Sequence, residues 1–498
     1  MGHMRFVADN RELLTDDRLA RAYIAGPDEA PTFGRTLLSG KQIVVERPDD
    51  ASGAFTIPWP IPGHGDWLLA SNSLMERERP YNLEVELARG LVFRLRDQLA
   101  AWEMLGLKTT KSLVKGVKDA TRAFSRAEVS QGVDPASAAV HAGTALVFAA
   151  DASCELVDLY SQQALAMRMA NDQRLTTLLG VRLREKPPEG AIAKRVADTF
   201  NLTSVSCGWS SVEPSEGRRE WTASDKPVEW ARSKGMRVCL GPLLEFDDKA
   251  LPDWAYLWEG DLETLTSLMI GHVRATVQRY RGKAQLWHVA SKINRDKVLS
   301  LSDEQRLQIV ANAVRTIRQL DPNTPVVVGV EQPWGEYRAT RQTELSPLDF
   351  ADALERADLG IAGFDLELNI GVHPHGTTLR SPLAFSRLID LWNVRLESPL
   401  MLSISLPSSA EDDPHADPRL SIVAGGKDGE LLTPDFQAKW VERHLPMMMA
   451  KNAVQVAVWS QLSDEGKHRL PHAGLYDPAK AEKPIVNALA DIRKRLLV

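Results

Sequence analysis

Carboxylate side chains follow short apolar runs in the C-terminal two thirds of the chain. Glu331 follows the run at 325–330, and Asp365 and Glu367 lie two residues apart in and just after the run at 361–366. Side chains two residues apart in a strand point to the same face. Two carboxyl groups can cleave a glycoside when they lie about 5–5.5 Å apart (retaining enzymes) or about 6.5–9.5 Å apart (inverting enzymes). Glu331, Asp365 and Glu367 are therefore a candidate catalytic set.

A second group of residues is suited to binding sugars. The segment EQPWGEY at 331–337 places Trp334, Glu336 and Tyr337 around a rigid Pro-Trp-Gly turn. Pyranose rings stack on aromatic side chains, and carboxylates accept hydrogen bonds from sugar hydroxyls. The alternative is that each tryptophan caps a hydrophobic core. The predicted substrate-binding residues are Trp209, Glu245, Trp287, Trp334, Glu336, Tyr337 and Trp459.

Histidines are the remaining candidates for chemistry. His373 and His375 follow one apolar run, and His468 and His472 follow the last one, so four imidazoles could meet near Glu367. Their spacing is not that of a known metal motif, and solvent-facing loop positions are the favoured interpretation. There is no glycine-rich phosphate loop and no serine nucleophile elbow. The sequence therefore predicts neither a metal site nor a cofactor.

The segments that must position these residues alternate between apolar runs typical of strands and the helical spacing of apolar residues. From 176 to 498, eight apolar strand candidates alternate with amphipathic helices, which is typical of a parallel sheet covered by helices. Eight such units in this length predict an α/β fold, a closed (β/α)8 TIM barrel. Active sites of such barrels lie at the carboxyl ends of the strands. The candidate residues all fall at or just beyond those ends.

Two further regions precede the predicted barrel. Residues 4–82 contain short apolar runs between Pro- and Gly-rich turns, which predicts a small β-rich domain. Residues 83–175 change to the helical period, and one face of the first long helix carries Leu87, Leu91, Leu95, Leu99 and Trp102. The sequence does not distinguish a carbohydrate-binding module from a simple lid in the β-rich region.

Composition limits the classes of partner. The 498 residues include 44% hydrophobic and 25% charged residues, with a formal net charge of −6 and no long basic block, which disfavours nucleic acid. No run of about 18 apolar residues was found, so no membrane span is predicted. The N-terminal segment is too polar for a signal peptide, and three cysteines form no disulfide or metal pattern. A cytoplasmic location is the expectation.

Several segments together resemble the family 10 glycoside hydrolases, which are endo-β-1,4-xylanases. The similar pieces cover nearly the whole predicted barrel and none of residues 1–175. In order, they are WSSVEPSEG at 209–217, GPLL at 241–244, LPDW at 251–254, RYRGK at 279–283, LWHV at 286–289, VWSQLSD at 458–464 and GLYD at 474–477.

The resemblance implies positions for the two catalytic glutamates, and this chain differs at both. Lys292 stands at the acid/base position after the fourth strand, and the nucleophile position falls on Ser403 or Ile404. Gly241 and Pro242 stand where the family has a histidine motif. A lysine with an ordinary pKa near ~10.4 is a weak proton donor at neutral pH, and neither Ser403 nor Ile404 can form the usual glycosyl ester.

Two functional hypotheses follow from these observations. In the first, the protein is a non-standard glycoside hydrolase or saccharide binder that acts on a short glycoside or oligosaccharide, with Glu331, Asp365 and Glu367 as relocated carboxylates. In the second, it is a catalytically inactive barrel that serves as a carbohydrate-binding or protein-interaction scaffold. The second hypothesis expects Asp365 and Glu367 to be ion-paired, with Lys292 as the obvious partner.

Overall fold

The computed structural model describes residues 2–170, 174–294, 298–423 and 432–498. Its N-terminal unit contains two small sheets. Phe6 and Phe55 stack between them with ring centroids 4.3 Å apart, and the alternate burial along the strands follows the two-residue period. The first sheet has the order β3-β4-β1-β7 and the second β2-β5-β6. The elements are β1 (Gly2–Val7), α1 (Asp16–Ala20), β2 (Tyr23–Ala25), β3 (Arg35–Ser39), β4 (Gln42–Arg47), β5 (Gly53–Ile61), β6 (Gly65–Leu74) and β7 (Tyr81–Asn82).

Three long helices follow: α2 (Leu83–Met104), α3 (Lys111–Ser130) and α4 (Pro135–Arg168). Each begins at a residue whose side chain accepts a backbone N–H, namely Asn82, Thr110 and Asp134. The predicted stripe of leucines on α2, with Trp102, is buried. Among the described residues, α4 alone is long and apolar enough to cross a membrane by length and composition, but just over half of its most apolar window is buried inside the protein. Such burial is typical of a core helix.

The predicted (β/α)8 barrel is confirmed. Eight parallel strands pair in sequence order, and the ring closes where the first strand pairs with the eighth and the third with the fourth. In order, the barrel strands are β8 (Leu178–Leu183), β9 (Leu202–Val205), β10 (Arg237–Leu240), β12 (Leu286–Ser291), β13 (Val326–Glu331), β14 (Gly363–Asn369), β16 (Leu400–Ser405) and β18 (Val454–Trp459). Three short strands lie outside this ring: β11 (Leu244–Glu245), β15 (Val372–His373) and β17 (Ser421–Ile422).

Helices surround the barrel, and several begin at a capped residue. Ser302 and Gln305 form a reciprocal capping box before one of them, and Ser346 and Asp349 form another. The helices are α5 (Gly190–Thr199), α6 (Trp209–Val212), α7 (Thr222–Ser233), α8 (Leu262–Tyr280), α9 (Asp303–Leu320), α10 (Pro347–Arg356), α11 (Pro382–Leu396), α12 (Pro434–Met449) and α13 (Ile485–Leu496). Three 3₁₀ turns are Arg11–Leu13, Asp253–Trp258 and Glu336–Ala339.

The inside of the barrel has an apolar layer and a polar layer. The apolar layer lies toward the amino ends of the strands and consists of Leu202, Cys239, Leu286, Val327, Met401, Val456 and Val458. Two residues further along several of these strands, the same face carries Ser204, His288, Gly329 and Ser403. Asp365 lies beside Gly329 in the strand register and joins this polar layer. The residues with chemistry therefore lie above a packed apolar floor.

The N-terminal unit is attached to the barrel near the loops that follow its fifth and sixth strands. Leu68 N donates to Leu379 O at 2.9 Å, and Gly34 N donates to Ala339 O at 3.1 Å. Arg380 donates from Nη2 to the hydroxyl of Tyr23 at 2.9 Å. These contacts place α1 and β2 beside the mouth of the barrel.

Candidate functional site

Lys292 directly follows β12, and its side chain is only 1% exposed. Its Nζ lies 2.5 Å from Glu245 Oε1 and 2.8 Å from Asp247 Oδ2. The expected pairing of Lys292 with Asp365 and Glu367 is therefore wrong. The physical reason is that β11 pairs with the end of β12, with Glu245 opposite Ser291, which brings the acidic segment after the third barrel strand to the lysine.

The acids that hold Lys292 belong to a larger ionic network across the barrel mouth. Burial alone would raise the pKa of Glu245, but Lys292 and Arg469 outweigh it and lower this pKa to about 2. Asp247 also accepts from Arg419 Nη2 at 3.1 Å, and Arg419 pairs with Asp417 at 2.7 Å. Glu245, one of the predicted substrate-binding residues, is therefore an ionised member of a salt-bridge network.

Asp365 and Glu367 share one face of their strand, as the two-residue period predicted; this face is the barrel interior, and the residues are 0% and 3% exposed. Ser403 donates its hydroxyl to Asp365 Oδ2 at 2.7 Å, and Ser291 donates to Glu367 Oε1. Burial, and next the charge of Glu367, raise the pKa of Asp365 to about 7. Ser403, one of the two residues at the expected nucleophile position, thus orients a buried carboxyl group.

His288 completes this interior cluster and was not recognised from the sequence. Its Nε2 lies 3.8 Å from Asp365 Oδ2, and burial lowers the pKa of the imidazole to about 4. One ligand atom each from His288, Asp365 and Glu367 lie within 4.8 Å of one another, a grouping that could hold a metal ion. The available signal was its position two residues after Leu286, which places it on the interior face of the strand.

The four loop histidines separate into different surroundings. His468 Nε2 and His472 Nδ1 lie 2.9 and 3.5 Å from Asp413 Oδ2. His375 Nδ1 lies 3.9 Å from Glu331 Oε2, and His373 is exposed at the edge of a cavity. Among the residues that the structure describes, no grouping of these four with Glu367 has metal-binding geometry.

A cavity of about 400 Å³ lies between the N-terminal unit and the loops after the fifth and sixth barrel strands. This volume is within the usual range of small-molecule sites, roughly 300–1,000 Å³. Three predicted residues, Glu331, Glu336 and Tyr337, line it, whereas Asp365 and Glu367 do not. Other polar lining residues are Asp17, Arg21, Tyr23, Asn294, Gln332, Thr340, Arg341, His373, His375, Thr378 and Ser421.

Glu331 is the last residue of β13 and lines the cavity. Its Oε1 accepts from Arg469 Nη2 at 2.9 Å, and its backbone N–H donates to Asn294 Oδ1 at 3.1 Å. In the register of β13 with β14, Glu331 lies opposite Glu367. Two members of the predicted catalytic set are therefore neighbours, but the one that faces the cavity is ion-paired.

Glu336 and Tyr337 lie in the 3₁₀ turn after the fifth strand. Glu336 accepts from Arg380 Nη2 at 2.9 Å, from Thr378 N at 3.1 Å and from the hydroxyl of Thr377. The hydroxyl of Tyr337 accepts from Asn294 Nδ2 at 3.2 Å, and burial raises the pKa of the phenol to about 12. Glu336 therefore fixes the loop after the sixth strand, while Tyr337 remains a neutral hydrogen-bonding group.

The predicted tryptophan platform is not formed. Trp209, Trp287, Trp334 and Trp459 are buried, and none of them lines the cavity. The indole N–H groups of Trp287 and Trp459 donate to Asp321 Oδ2 at 3.0 Å and to Ala473 O at 2.8 Å. Both tryptophans alternate with interior-facing residues in their strands, so their rings point outward into the helix layer.

Trp209 and Trp334 are buried by packing against other aromatic rings. The rings of Trp209 and Trp254 pack edge to face with centroids 5.2 Å apart, and the indole N–H of Trp209 donates to Glu213 Oε2 at 3.1 Å. The rings of Trp334 and Phe385 pack edge to face with centroids 5.0 Å apart. The alternative that these tryptophans cap the core is thus the observed arrangement.

Comparison with known proteins shows a family similarity over part of the chain. Residues 172–326 match the model of glycosyl hydrolase family 10. Endo-1,4-beta-xylanase B of Humicola insolens is 29% identical over 119 residues, which is 23% of this chain and 31% of the relative. Endo-1,4-beta-xylanase 3 of Hypocrea jecorina is 31% identical over 124 residues, which is 24% of this chain and 35% of the relative. The chain thus spans about a third of the length of these relatives.

Two of the solved structures that resemble this chain are xylanases. The match with xylanase 10B from Thermotoga maritima has a TM-score of 0.48 at 15% identity. It covers 66% of this chain and 97% of the xylanase chain. The match with xylanase B from Clostridium stercorarium F9 has a TM-score of 0.49 at 18% identity. It covers 66% of this chain and 99% of the xylanase chain. The strand order established above and the match over 172–326 together identify the C-terminal part of the chain as a barrel similar to that of glycosyl hydrolase family 10.

Proposed function

We propose that the protein binds a short saccharide or glycoside in the cavity of about 400 Å³, and that it lacks the catalytic pair of family 10 glycoside hydrolases. The observation that carries the proposal is the state of the carboxylates. Glu331 and Glu336, which line the cavity, each pair with an arginine, Arg469 and Arg380 respectively. Binding rather than hydrolysis is the function best supported by this arrangement.

Lys292 supports the absence of the family's proton donor. Its ammonium group neutralises Glu245 and Asp247 at 2.5 and 2.8 Å in a buried position. Transfer of its proton to a leaving group would remove one counter-ion from each acid, at a high cost in a buried site. Lys292 at the acid/base position therefore acts as a structural cation.

The cavity offers the polar groups that saccharide recognition needs. Arg21 supplies hydrogen-bond donors, Glu331 supplies a carboxylate and Tyr337 supplies an aromatic ring with a hydroxyl. The N-terminal unit contributes Asp17, Arg21 and Tyr23, so it covers one side of the cavity. In this proposal, the unit is a lid that takes part in binding.

A second candidate function is hydrolysis by relocated carboxylates. The observation that favours it is the register of β13 and β14, which places Glu367 opposite Glu331, a residue that lines the cavity. Asp365 would be the third member. This mechanism requires Glu331 to exchange its contact with Arg469 for a contact with substrate.

Calorimetric titration and glycoside hydrolysis assays test both functions on the full-length protein. The ligands are xylobiose, xylotriose, cellobiose and aryl glycosides, and the variants are Tyr337→Phe and Glu331→Gln. We expect saccharide binding without turnover, with affinity reduced about tenfold by Tyr337→Phe, which corresponds to one hydrogen bond of about 1.4 kcal/mol.

Glu344→Gln is the matched control, because Glu344 is exposed, lies near the cavity in sequence and does not line it. It should bind like the wild type. If no saccharide binds to the wild type, the proposal is refuted. Turnover that disappears in Glu331→Gln would establish the second function instead.

A further inference from the structure

We propose that the barrel interior binds a divalent transition-metal ion through His288, Asp365 and Glu367. The three residues come from β12 and β14, the strands on either side of β13, and all are buried. A ring nitrogen of His288 and one oxygen from each carboxylate lie within 4.8 Å of one another. The site is separate from the saccharide cavity, whose lining does not include these residues.

Unsatisfied polar atoms provide independent support for a bound species. Both ring nitrogens of His288 and Oδ1 of Asp365 are buried without a hydrogen-bond partner among the described residues. The distance of 3.8 Å between His288 Nε2 and Asp365 Oδ2 is too long for a hydrogen bond. Buried polar groups in folded proteins nearly always have a partner. A species that is not part of the chain is therefore needed to contact these atoms.

Gly329, on the strand between the ligands, allows His288 and Glu367 to approach the backbone closely. A methyl group at this position would lie 2.6 Å from His288 Nε2 and 2.9 Å from Glu367 Oε1. The backbone of Gly329 does not have a positive φ, so its conformation does not require glycine. Any larger residue would therefore push His288 Nε2 and Glu367 Oε1 away from each other and from the strand. Zinc binds such atoms at about 2.0–2.2 Å.

The donor set and its surroundings suit a divalent ion. Imidazole nitrogen with two carboxylates is a ligand combination used for zinc and for manganese- or iron-class ions. Ser403 donates to Asp365 at 2.7 Å and Ser291 donates to Glu367, and such contacts hold ligating carboxylates in position.

Arg182 is the competing cation in this layer. It contributes to the charge environment of Asp365, and its Nε and Nη2 are buried without a hydrogen-bond partner among the described residues. No hydrogen bond joins the two side chains, so the carboxylate remains available to a metal ion. The two carboxylates of the cluster also outnumber this single guanidinium.

The burial of the ligands indicates a structural role. An ion here would join β12 and β14 across β13, and its binding energy would add to the stability of the barrel. The proposal does not depend on saccharide binding, because the two sites share no residue.

Elemental analysis of full-length protein is the test. The protein is expressed in media supplemented in turn with Zn²⁺, Mn²⁺ and Co²⁺, purified without added metal and measured by inductively coupled plasma mass spectrometry. We expect close to one equivalent of metal per chain in the wild type, at least a fivefold lower content in His288→Asn and Glu367→Gln, and ligand-field absorption bands from the Co²⁺ form. Gly329→Ala keeps all three ligand side chains and should lose the metal because its methyl group would displace His288 Nε2 and Glu367 Oε1.

His468→Asn is the matched control, because it disrupts the separate contact of His468 with Asp413 at 2.9 Å. This variant should retain the metal. Metal below 0.1 equivalent in the wild type under all three supplements would overturn the proposal and leave ordered water as the occupant. Loss of metal in His468→Asn with retention in His288→Asn would overturn it as well. The wild-type content decides the matter even if a ligand variant fails to fold.

Discussion

Replacing Lys292 by methionine would remove the positive charge at the centre of the mouth network while keeping the side-chain length. Removing one partner of a buried ion pair costs about 3–5 kcal/mol, because the remaining charge is left uncompensated. Here Asp247 retains Arg419 at 3.1 Å and Glu245 retains Arg469 at 3.6 Å. We therefore expect the lower end of that range, about 3 kcal/mol.

Urea denaturation followed by circular dichroism measures this loss as a shift of the unfolding midpoint. Lys249→Met is the matched control, because Lys249 makes an ion pair of 2.8 Å with Asp417 but its side chain is 56% exposed. Exposed pairs contribute about 0–1 kcal/mol. Adding Glu245→Gln and Asp247→Asn to Lys292→Met should recover much of the lost stability. A cost below about 1 kcal/mol for Lys292→Met, similar to that of Lys249→Met, would refute the view that Lys292 is a structural cation.

Three further predictions concern the network, the helix layer and the attachment of the N-terminal unit. The pKa of Glu245 falls from 4.5 to about 2 on folding. Its contribution to the free energy of unfolding, at most about 3 kcal/mol, is therefore complete above pH 4.5 and is lost as the pH falls toward 2. Unfolding midpoints measured between pH 5 and 2.5 should depend less on pH in Glu245→Gln than in the wild type. Trp459→Ala should cost about 3–5 kcal/mol by chemical denaturation, and a loss below about 1 kcal/mol would contradict its burial in the core. Arg380→Met removes the contacts to Tyr23 and Glu336, so limited proteolysis should release the N-terminal unit faster than in Arg387→Met, whose partner Glu29 is more exposed. Equal cleavage rates for these two variants would show that Arg380 does not hold the unit.

Local pattern was sufficient for the architecture of the barrel. Alternating strands and amphipathic helices predicted eight parallel strands, and the two-residue period predicted that Asp365 and Glu367 share one face of their strand. The helical period likewise predicted the buried stripe that includes Leu87 and Trp102. These features follow from the backbone geometry of single elements, so they can be read without knowledge of the neighbours.

Contacts between distant segments could not be obtained in this way. Lys292 pairs with Glu245 and Asp247 because β11 lies beside the end of β12, and this pairing depends on how the loop after the third strand folds back. The tryptophans gave a misleading signal because an apolar aromatic residue near a strand end is equally consistent with the helix layer and with the barrel mouth. The two locations differ in whether the side chain points into the barrel or toward the helices. This is known only once the strands are closed into a ring.

The order of residue types along the chain was enough to specify a β/α barrel and to place Asp365 and Glu367 on one face of a strand. The folded chain was needed to show the cavity beneath α1 and β2, the salt bridges that occupy Glu331 and Glu336, and the contribution of His288 to the interior cluster. The physical reason is range. Periodicity expresses the geometry of a few consecutive residues, whereas ion pairing and burial depend on segments that are far apart in sequence and meet only when the barrel closes.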